Sequence, residues 1–442
     1  MSNFGAGLVS FVILLLALGL RVPIGVAMMA VGVGGFIWIQ GLAPLLSFLK
    51  TTPFETFAGY SFSVIPLFLL MGNVASGSGL SARLFRGANA LLGHHKGGMA
   101  MAAVGACAAF GTICGSSLAT AATMGQVALP QMRKYGYSGA LSTGTLAAGG
   151  TLGILVPPSI PLVVYAILTE QNIAKLFLAA FIPAALAVIG FFIAIRGYIY
   201  FHPGEGPATE KLPLTERARL VAETWPVIAI FLIVFVGMNG DFFFGRSLFT
   251  PTEGAAVGAL LASIAALTVG GMRWRQVLGS VRATAEQSGM IFLILLGAEL
   301  YNAFLARTNM PQVVAQWVSG LPVSPYLVMA VIVLVYILLG CLMDSLSMIL
   351  LTIPIFFPVV MGLEFGLSPE HTAIWFGILA LIVVELGLIH PPVGLNVYVI
   401  QNIAGDVSML ETFKGVVPFL IAEFFRVSLI IAFPTLTLLL IR

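Results

Sequence analysis

The sequence predicts an all-α polytopic membrane protein. Of its 442 residues, 59% are hydrophobic and only 8% are charged, whereas a soluble domain usually carries about a quarter charged residues. Charge-free apolar stretches such as 4–20 and 254–272 recur along the chain, and each is long enough to cross roughly 30 Å of hydrocarbon as a helix. Because these stretches are continuously apolar and do not alternate, the spans are helices and not strands of a closed barrel.

The distribution of charge predicts about ten transmembrane crossings and two re-entrant helical hairpins. The crossings are 4–20, 22–40, 59–77, 139–168, 172–200, 225–244, 250–271, 287–305, 371–400 and 413–441, and the hairpins are 97–132 and 323–362. With the N-terminus outside, fourteen Lys and Arg residues, including Arg21, fall inside, and five, including Arg442, fall outside. This excess supports the orientation under the positive-inside rule, with both termini on the outer side.

The first hairpin has two possible topologies. Residues 97–132 carry no charge, and basic residues flank both ends, so charge alone allows one hairpin or two full crossings. The middle of the segment, GTICGSSLAT at 111–120, is small and polar. A polar tip at membrane depth is tolerated only where it lines a cavity within the protein. We favour the hairpin for this reason.

The two halves of the chain contain a weak internal repeat. GILVPPS at 153–159 recurs as GLIHPPV at 387–393, and GTICGSS at 111–117 corresponds to GCLMDSL at 340–346. Five predicted crossings separate the equivalent elements, and an odd number inverts the second copy. The Pro-Pro pairs break their helices. Such kinks often serve packing alone, but two matching kinks after two matching hairpins indicate the midplane site of a secondary transporter.

We predict a single integral membrane unit, 1–442, with five parts. They are the first scaffold helices (1–96), the first-repeat hairpin and broken helix (97–200), a cytoplasmic connector (201–224), the second scaffold helices (225–310), and the second-repeat hairpin, broken helix and terminal helix (311–442). The connector is as readily explained as a plain solvated loop.

These motifs, together with RVPIG at 21–25 and SGSGLSARL at 76–84, resemble the large membrane subunit of tripartite ATP-independent periplasmic (TRAP) transporters. The resemblance covers essentially the whole chain. It implies an inverted-repeat, elevator-type carrier in the bacterial inner membrane, with periplasmic termini and uptake driven by sodium ions instead of ATP. It also implies three partners: a small four-helix membrane subunit, a periplasmic substrate-binding protein, and a small organic anion such as a dicarboxylate, a sialic acid or a related carboxylate. We expect no further cofactor and no nucleic-acid partner.

The resemblance also implies two sodium sites, mostly formed by backbone carbonyls. The first would use Cys114, Ser117, Gly153, Val156 and Pro158, and the second would use Gly340, Met343, Asp344, Gly387, His390 and Val393. The family more often has Ser at the position of Cys114 and Thr or Ser at that of His390, so any side-chain ligation there would be altered. Ser116, Ser345 and Asn396 are candidate substrate contacts, although helix capping or satisfaction of freed carbonyls explains them equally well.

Three other functions compete with this interpretation, and one of them is a channel, against which the paired hairpins favour alternating access. A standalone sodium-coupled anion carrier of the same architecture would need no binding protein, and the hairpins do not distinguish it. An intramembrane enzyme would need a nucleophile–base pair or a set of metal ligands, and the sequence has neither motif. Glu423 and Arg426 are three residues apart on one helix face, which favours a structural ion pair.

Overall fold

The structure is a computed structural model that describes residues 3–20, 22–341 and 343–441, without the side chain of Asp241. Arg21 and Arg442, which belong to the charge count above, lie outside the described residues. Every regular element in the described part is a helix, so the all-α prediction is confirmed.

The first half of the chain supplies the first hairpin and the first broken span. Its α-helices are α1 (Asn3–Gly19), α2 (Ile24–Gln40), α3 (Leu42–Ala58), α4 (Val64–Gly77), α5 (Leu80–Leu92), α6 (Gly98–Cys114), α7 (Ser117–Lys134), α8 (Gly139–Leu155), α9 (Ile160–Leu168) and α10 (Ile173–Phe201). Helices α6 and α7 form the first hairpin. Helices α8 and α9 form the broken span, with a bend of 43° between them.

The second half supplies the corresponding elements. Its helices are α11 (Leu214–Ala222), α12 (Trp225–Met238), α13 (Gly240–Phe244), α14 (Pro251–Thr268), α15 (Trp274–Thr308), α16 (Met310–Ser319), α17 (Pro325–Gly340), α18 (Ser345–Met361), α19 (Pro369–Gly387), α20 (Leu395–Ala404), α21 (Met409–Ala432) and α22 (Thr435–Leu438). Helices α17 and α18 form the second hairpin, and α19 and α20 form the second broken span. The 157–158 and 391–392 Pro-Pro peptide bonds are both cis.

By length and composition, six described helices are able to cross a membrane, and two bent pairs raise this number to eight. Shorter apolar helices of 10–17 residues add to these. They include α1 and α2, which correspond to the first two predicted crossings. At 1.5 Å per residue, a helix of 17 residues spans about 25 Å, nearly the thickness of the hydrocarbon core.

The internal repeat is visible in the backbone packing of the two halves. A Cβ atom added to Gly111 on α6 would lie 2.8 Å from the Cα atom of Gly153 on α8. In the second half, a Cβ atom added to Gly340 on α17 would lie 2.9 Å from the Cα atom of Gly387 on α19. In both halves, therefore, the main chain of the first hairpin helix touches the main chain of the broken helix. The contacts lie at glycines that occupy equivalent positions in the internal repeat.

Helix α15 is 35 residues long and packs along α2. A Cβ atom added to Gly32 on α2 would lie 2.7 Å from the backbone N of Tyr301, and one added to Gly297 would lie 2.4 Å from the carbonyl O of Gly25. The predicted crossing 287–305 is thus the apolar part of a longer helix. Its polar N-terminal extension carries the exposed ion pair between Arg282 and Glu286.

The connector between the halves is bonded to its neighbours over part of its length. The backbone N–H of Gly97 donates to the carbonyl O of Gly206 at 2.8 Å, and that of Thr209 donates to the carbonyl O of Gly93 at 2.8 Å. These bonds attach the connector to the loop that joins α5 and α6. The rest of the connector is largely exposed, so both interpretations of this segment stay open.

Candidate functional site

A cavity of about 660 Å³ lies where the two hairpin tips meet α2, α4 and α15. Residues 114–119 of the first hairpin and 344–347 of the second line one side, and Leu69, Gly72, Asn73, Gln287 and several apolar residues of α2 and α15 line the other. The cavity therefore brings together two segments that are more than 200 residues apart in the sequence. A polar tip placed in an internal cavity is what the hairpin prediction requires.

The first tip turns sharply and presents the start of α7 to the cavity. Gly115 ends α6 with φ +63°, a left-handed conformation that glycine adopts without a steric penalty. Ser116 is the N-cap of α7, and its hydroxyl accepts a bond from the N–H of Ala119 at 3.4 Å. The remaining free N–H groups of the first turn make this end of α7 a favourable place for an anion.

Oxygen atoms are concentrated just behind the first tip. A Cβ atom added to Gly153 would lie 2.3 Å from Oγ1 of Thr120 and 2.8 Å from the carbonyl O of Ser116. The hydroxyls of Ser117 and Ser159 are buried, and neither has a hydrogen-bond partner in the structure. Buried polar atoms are rarely left unpaired, and oxygen atoms are the ligands that hard cations prefer. Thr120 and Ser159 were not predicted from the sequence.

Four of the five residues predicted for the first sodium site lie around this group of oxygen atoms. Cys114 and Ser117 belong to the tip, Gly153 packs against it, and the carbonyl O of Pro158 lies 3.5 Å from a Cβ atom added to Gly115. Val156 ends α8 and borders a separate apolar cavity of about 290 Å³ between α6, α10 and α12.

The second tip is organised around Asp344. Its Oδ2 accepts bonds from the N–H groups of Leu346 at 3.2 Å and Ser347 at 3.3 Å, and its Oδ1 accepts a bond from the hydroxyl of Ser347. Asp344 is thus the N-cap of α18 and also lines the cavity. Met343 is buried beside it. The capping role and a role in binding a cation are compatible in this position.

Two glutamate side chains, those of Glu385 on α19 and Glu423 on α21, are buried in the interior. The hydroxyl of Ser345 donates to Oε1 of Glu385 at 3.3 Å, while Oε2 of Glu385 has no partner in the described part of the chain. Farther on, Arg426 forms a buried ion pair with Glu423 and donates to the carbonyl O of Pro183 at 3.1 Å. The predicted pair between Glu423 and Arg426 is present.

The other residues predicted for the second sodium site divide into two groups. Gly340 and Gly387 touch each other directly behind the tip. His390 is half-buried, and its ring packs edge-on against Phe424 with Nδ1 2.5 Å from the carbonyl O of Pro391. Val393 lies in the turn that precedes α20. The side chain of His390 therefore contacts its own turn and α21, and its Nδ1 also lies 3.9 Å from Sγ of Cys341 in the second hairpin.

The three candidate substrate contacts differ in position. Ser116 and Ser345 line the cavity. Asn396 is fully buried, and its Nδ2 donates to the carbonyl O of Ala147 on α8 at 3.3 Å. Asn396 thus joins the second broken span to the first.

The polar groups on the opposite wall of the cavity were not predicted from the sequence. Nδ2 of Asn73 on α4 donates to Oγ1 of Thr284 at 2.9 Å and to Oε1 of Gln287 at 3.0 Å, both on α15. Asn73 and Gln287 line the cavity. They are 214 residues apart and belong to no recognisable motif, so only the folded structure identifies them.

Among the described residues that line the cavity, Asp344 is the only charged one. Backbone N–H groups at the starts of α7 and α18 border the cavity, and helix N-termini favour anions. Two inverted hairpin repeats with their tips in one central cavity define a membrane transport protein of the secondary-transporter class.

Comparison with known proteins identifies the family. The model of the family described as "Tripartite ATP-independent periplasmic transporter, DctM component" matches residues 11–436. The chain belongs to this family, the large permease components of TRAP transporters, and is therefore a multi-pass protein of the bacterial inner membrane.

The relatives are transport permeases and not enzymes. The C4-dicarboxylate TRAP transporter large permease protein DctM of Pseudomonas aeruginosa is 36% identical over 83% of this chain and 83% of its own length. The sialic acid TRAP transporter large permease protein SiaM of Vibrio cholerae is 31% identical over 86% of both chains. The YdaH transporter of Alcanivorax borkumensis, at 15% identity, has the same fold, with a TM-score of 0.61 over 96% of this chain and 97% of the other.

Proposed function

We propose that this chain is the large transmembrane subunit of a sodium-coupled, binding-protein-dependent importer of a small organic anion. The observation that carries the proposal is the cavity of about 660 Å³ between the two hairpin tips and α2, α4 and α15. Its volume falls in the range of small-molecule pockets, about 300–1,000 Å³. The relatives are named for C4-dicarboxylate and sialic acid, which supports a carboxylate as the substrate.

The charge of the cavity supports coupling to a cation. No Lys or Arg occurs among the described residues that line it, and Asp344 adds a negative charge. A dicarboxylate entering this cavity alone would meet the start of α7 as its main positive partner and would be repelled by Asp344. A sodium ion near Asp344 or behind the first tip removes this repulsion, so anion and cation bind better together than apart.

The first-tip oxygens provide a place for one sodium ion. Ser117 and Ser159 present unpaired buried hydroxyls, and the carbonyl O of Ser116 lies close to Gly153. A sodium ion would coordinate the lone pairs of these hydroxyl and carbonyl oxygen atoms. The second ion would lie at the Asp344 tip, where Gly340 and Gly387 bring the main chains of α17 and α19 together.

The packing supports an elevator movement of the hairpin segments against a scaffold. Within the scaffold, the main chains of α2 and α15 touch directly at Gly32. Within the hairpin segments, the main chains of α8 and α21 touch directly at Gly415. Between the hairpin segments and the scaffold the main chains are also close at one point, where a Cβ atom added to Gly72 on α4 would lie 2.5 Å from the carbonyl O of Cys114 at the first tip. A glycine at this contact leaves a smooth surface along which the tip moves. The periplasmic position of both termini is part of this proposal.

The proposed partners are a small four-helix membrane subunit and a periplasmic substrate-binding protein. Large apolar side chains are exposed on the outer helices of the scaffold, for example Trp38 on α2 and Phe54 on α3. Such side chains suit contact with lipid or with another membrane subunit.

The test is uptake of a labelled C4-dicarboxylate and a labelled sialic acid into liposomes that contain this chain and its small subunit. The sodium gradient and the binding protein are each supplied or omitted. Ala119→Phe, which fills the cavity, is compared with Ala218→Phe, which adds the same bulk on an exposed position of α11 that lines neither this cavity nor the one beside Val156.

We expect uptake of one substrate to require both sodium and the binding protein, and to be lost in A119F but not in A218F. Sodium-driven uptake without the binding protein would instead establish the standalone carrier. Uptake that is indifferent to sodium, or insensitive to A119F, would contradict the proposal.

A further inference from the structure

A cavity of about 430 Å³ lies far from the hairpin tips, between the loop that joins α5 to α6 and the outer side of α10. Its walls are apolar and include Met101, Ile189, Phe192 and Ile193. Two polar side chains, those of His95 and the cation Arg196, complete the lining. The mechanism proposed above uses none of these residues.

The apolar wall lies on the lipid-facing side of the molecule. Ile189 and Ile193 are one turn apart on the membrane-spanning helix α10, and they are 54% and 66% exposed. At membrane depth a surface of this kind is covered by hydrocarbon, because water does not reach it. The occupant of the cavity therefore has an acyl chain.

The Arg196 guanidinium and the His95 imidazole would give the cavity its selectivity. Arg196 lies near the end of α10, is exposed, and forms no ion pair in the described part of the chain. An unpaired guanidinium presents a planar fork of donors that matches a phosphate group. The imidazole of His95 adds a hydrogen-bonding group beside it.

The surroundings of the loop are also positive. Burial lowers the pKa of His94, and repulsion by His95, Arg217 and Lys211 lowers it further. Lys96 follows in the sequence. By the excess of Lys and Arg, this end of α10 faces the cytoplasm, where anionic headgroups attract basic segments.

We propose that this cavity binds an anionic phospholipid of the cytoplasmic leaflet. The phosphate lies against Arg196 and His95, and an acyl chain follows Ile189, Phe192 and Ile193 along α10. The bound lipid touches both α10 and the α5–α6 loop, which turns at Gly97 with φ +73°. It therefore adds a contact between two segments that already meet where Gly97 packs against Ile195 and Ile199 of α10.

Lipid binding is measured by native mass spectrometry on the purified, delipidated chain in detergent. Phosphatidylglycerol, phosphatidylcholine and inorganic phosphate are added separately. Arg196→Gln removes the charge, and Ile193→Trp fills the acyl groove without changing any charge. The matched control is Arg275→Gln, an exposed cation in the first turn of α15 that we place on the same side of the membrane.

We expect the wild-type chain to retain phosphatidylglycerol in preference to phosphatidylcholine. R196Q should weaken phosphatidylglycerol binding roughly fivefold, since one surface cation contributes about that factor. I193W should weaken binding of both lipids, and R275Q should change neither.

Equal binding of the two lipids, or equal effects of R196Q and R275Q, would overturn the proposal. Inorganic phosphate that displaces phosphatidylglycerol from the wild type, with I193W binding normally, would identify a free-anion site instead. Because no transport is measured, either result is independent of the proposed import function.

Discussion

Gly340 and Gly387 face each other so closely that neither position has room for a methyl group. A Cβ atom added to Gly340 would lie 2.9 Å from the Cα atom of Gly387, and one added to Gly387 would lie 2.6 Å from the Cα atom of Gly340. Both opposing atoms are backbone atoms, so no side-chain rotation relieves the contact. This approach fixes the second hairpin against the second broken span.

Gly387→Ala should therefore destabilise the protein. Forcing extra volume into a packed interior typically costs about 1–3 kcal/mol. The measurement is the thermal unfolding midpoint in detergent, and Gly279→Ala on α15 is the control, because nothing lies within 4 Å of the Cβ atom it adds. An unchanged midpoint for G387A would mean that α17 and α19 are not in direct contact.

Ser117→Ala should weaken sodium binding without reducing stability in sodium-free buffer. The Ser117 hydroxyl has no partner in the described structure, so its removal breaks no bond there. Losing one contact to a charged group should raise the half-saturating sodium concentration at least about tenfold. The readout is the upward shift of the unfolding midpoint as sodium replaces choline.

Ser142→Ala is the matched control for this experiment. Ser142 is also a buried serine with an unpaired hydroxyl, but it lies near the start of α8, away from the tip. The sodium response of S142A should equal that of the wild type. Equal responses from S117A and S142A would remove Ser117 from the sodium site.

Substitution of Asp344 separates its capping role from its charge. Asp344→Asn retains an acceptor for the N–H groups of Leu346 and Ser347, whereas Asp344→Ala loses the cap at a cost of about 1 kcal/mol. Both variants should reduce sodium-dependent uptake, and only D344A should lower the unfolding midpoint clearly. Wild-type uptake by D344N would show that the carboxylate serves only as a cap.

Glu423→Gln should be among the most destabilising substitutions, because it leaves the Arg426 charge buried without its partner. The two side chains are 3% and 5% exposed, and breaking a buried pair typically costs about 3–5 kcal/mol. Glu286→Gln breaks the exposed pair with Arg282 and should cost less than about 0.5 kcal/mol. The comparison uses unfolding midpoints and expression yield, and similar losses in the two variants would contradict the burial of Arg426.

The spans and breaks were predictable because their signals are local. The charge-free run at 97–132 corresponds to α6 and α7, and the run at 139–168 corresponds to α8 and α9 with its break at the Pro-Pro pair. An apolar run predicts a span by itself, and a Pro-Pro pair predicts a helix break by itself. The aligned glycines of the repeat also proved to occupy equivalent contacts.

Other features were not predictable from the sequence. Helices α3, α5 and α16 were not predicted; α3 contains Lys50, Pro53 and Glu55, which interrupt the apolar pattern. The cavity wall formed by Asn73 and Gln287 depends on how α4 packs against α15. The sequence also gives no means of deciding that Asn396 is enclosed by α8 while Ser345 faces the cavity, because both are short polar residues next to a helix break.

The repeat is symmetric in its backbone but not in its charge. The first tip, residues 111–120, carries no ionisable group apart from Cys114, whereas the second presents the carboxylate of Asp344 to the same cavity. Any elongated molecule held between the two tips experiences a dipolar environment, with an end that favours an anionic group and an end that favours a hydrogen-bond donor or a cation. In the absence of bound sodium the two ends of the proposed site would therefore differ, and an asymmetric solute would be favoured in one orientation.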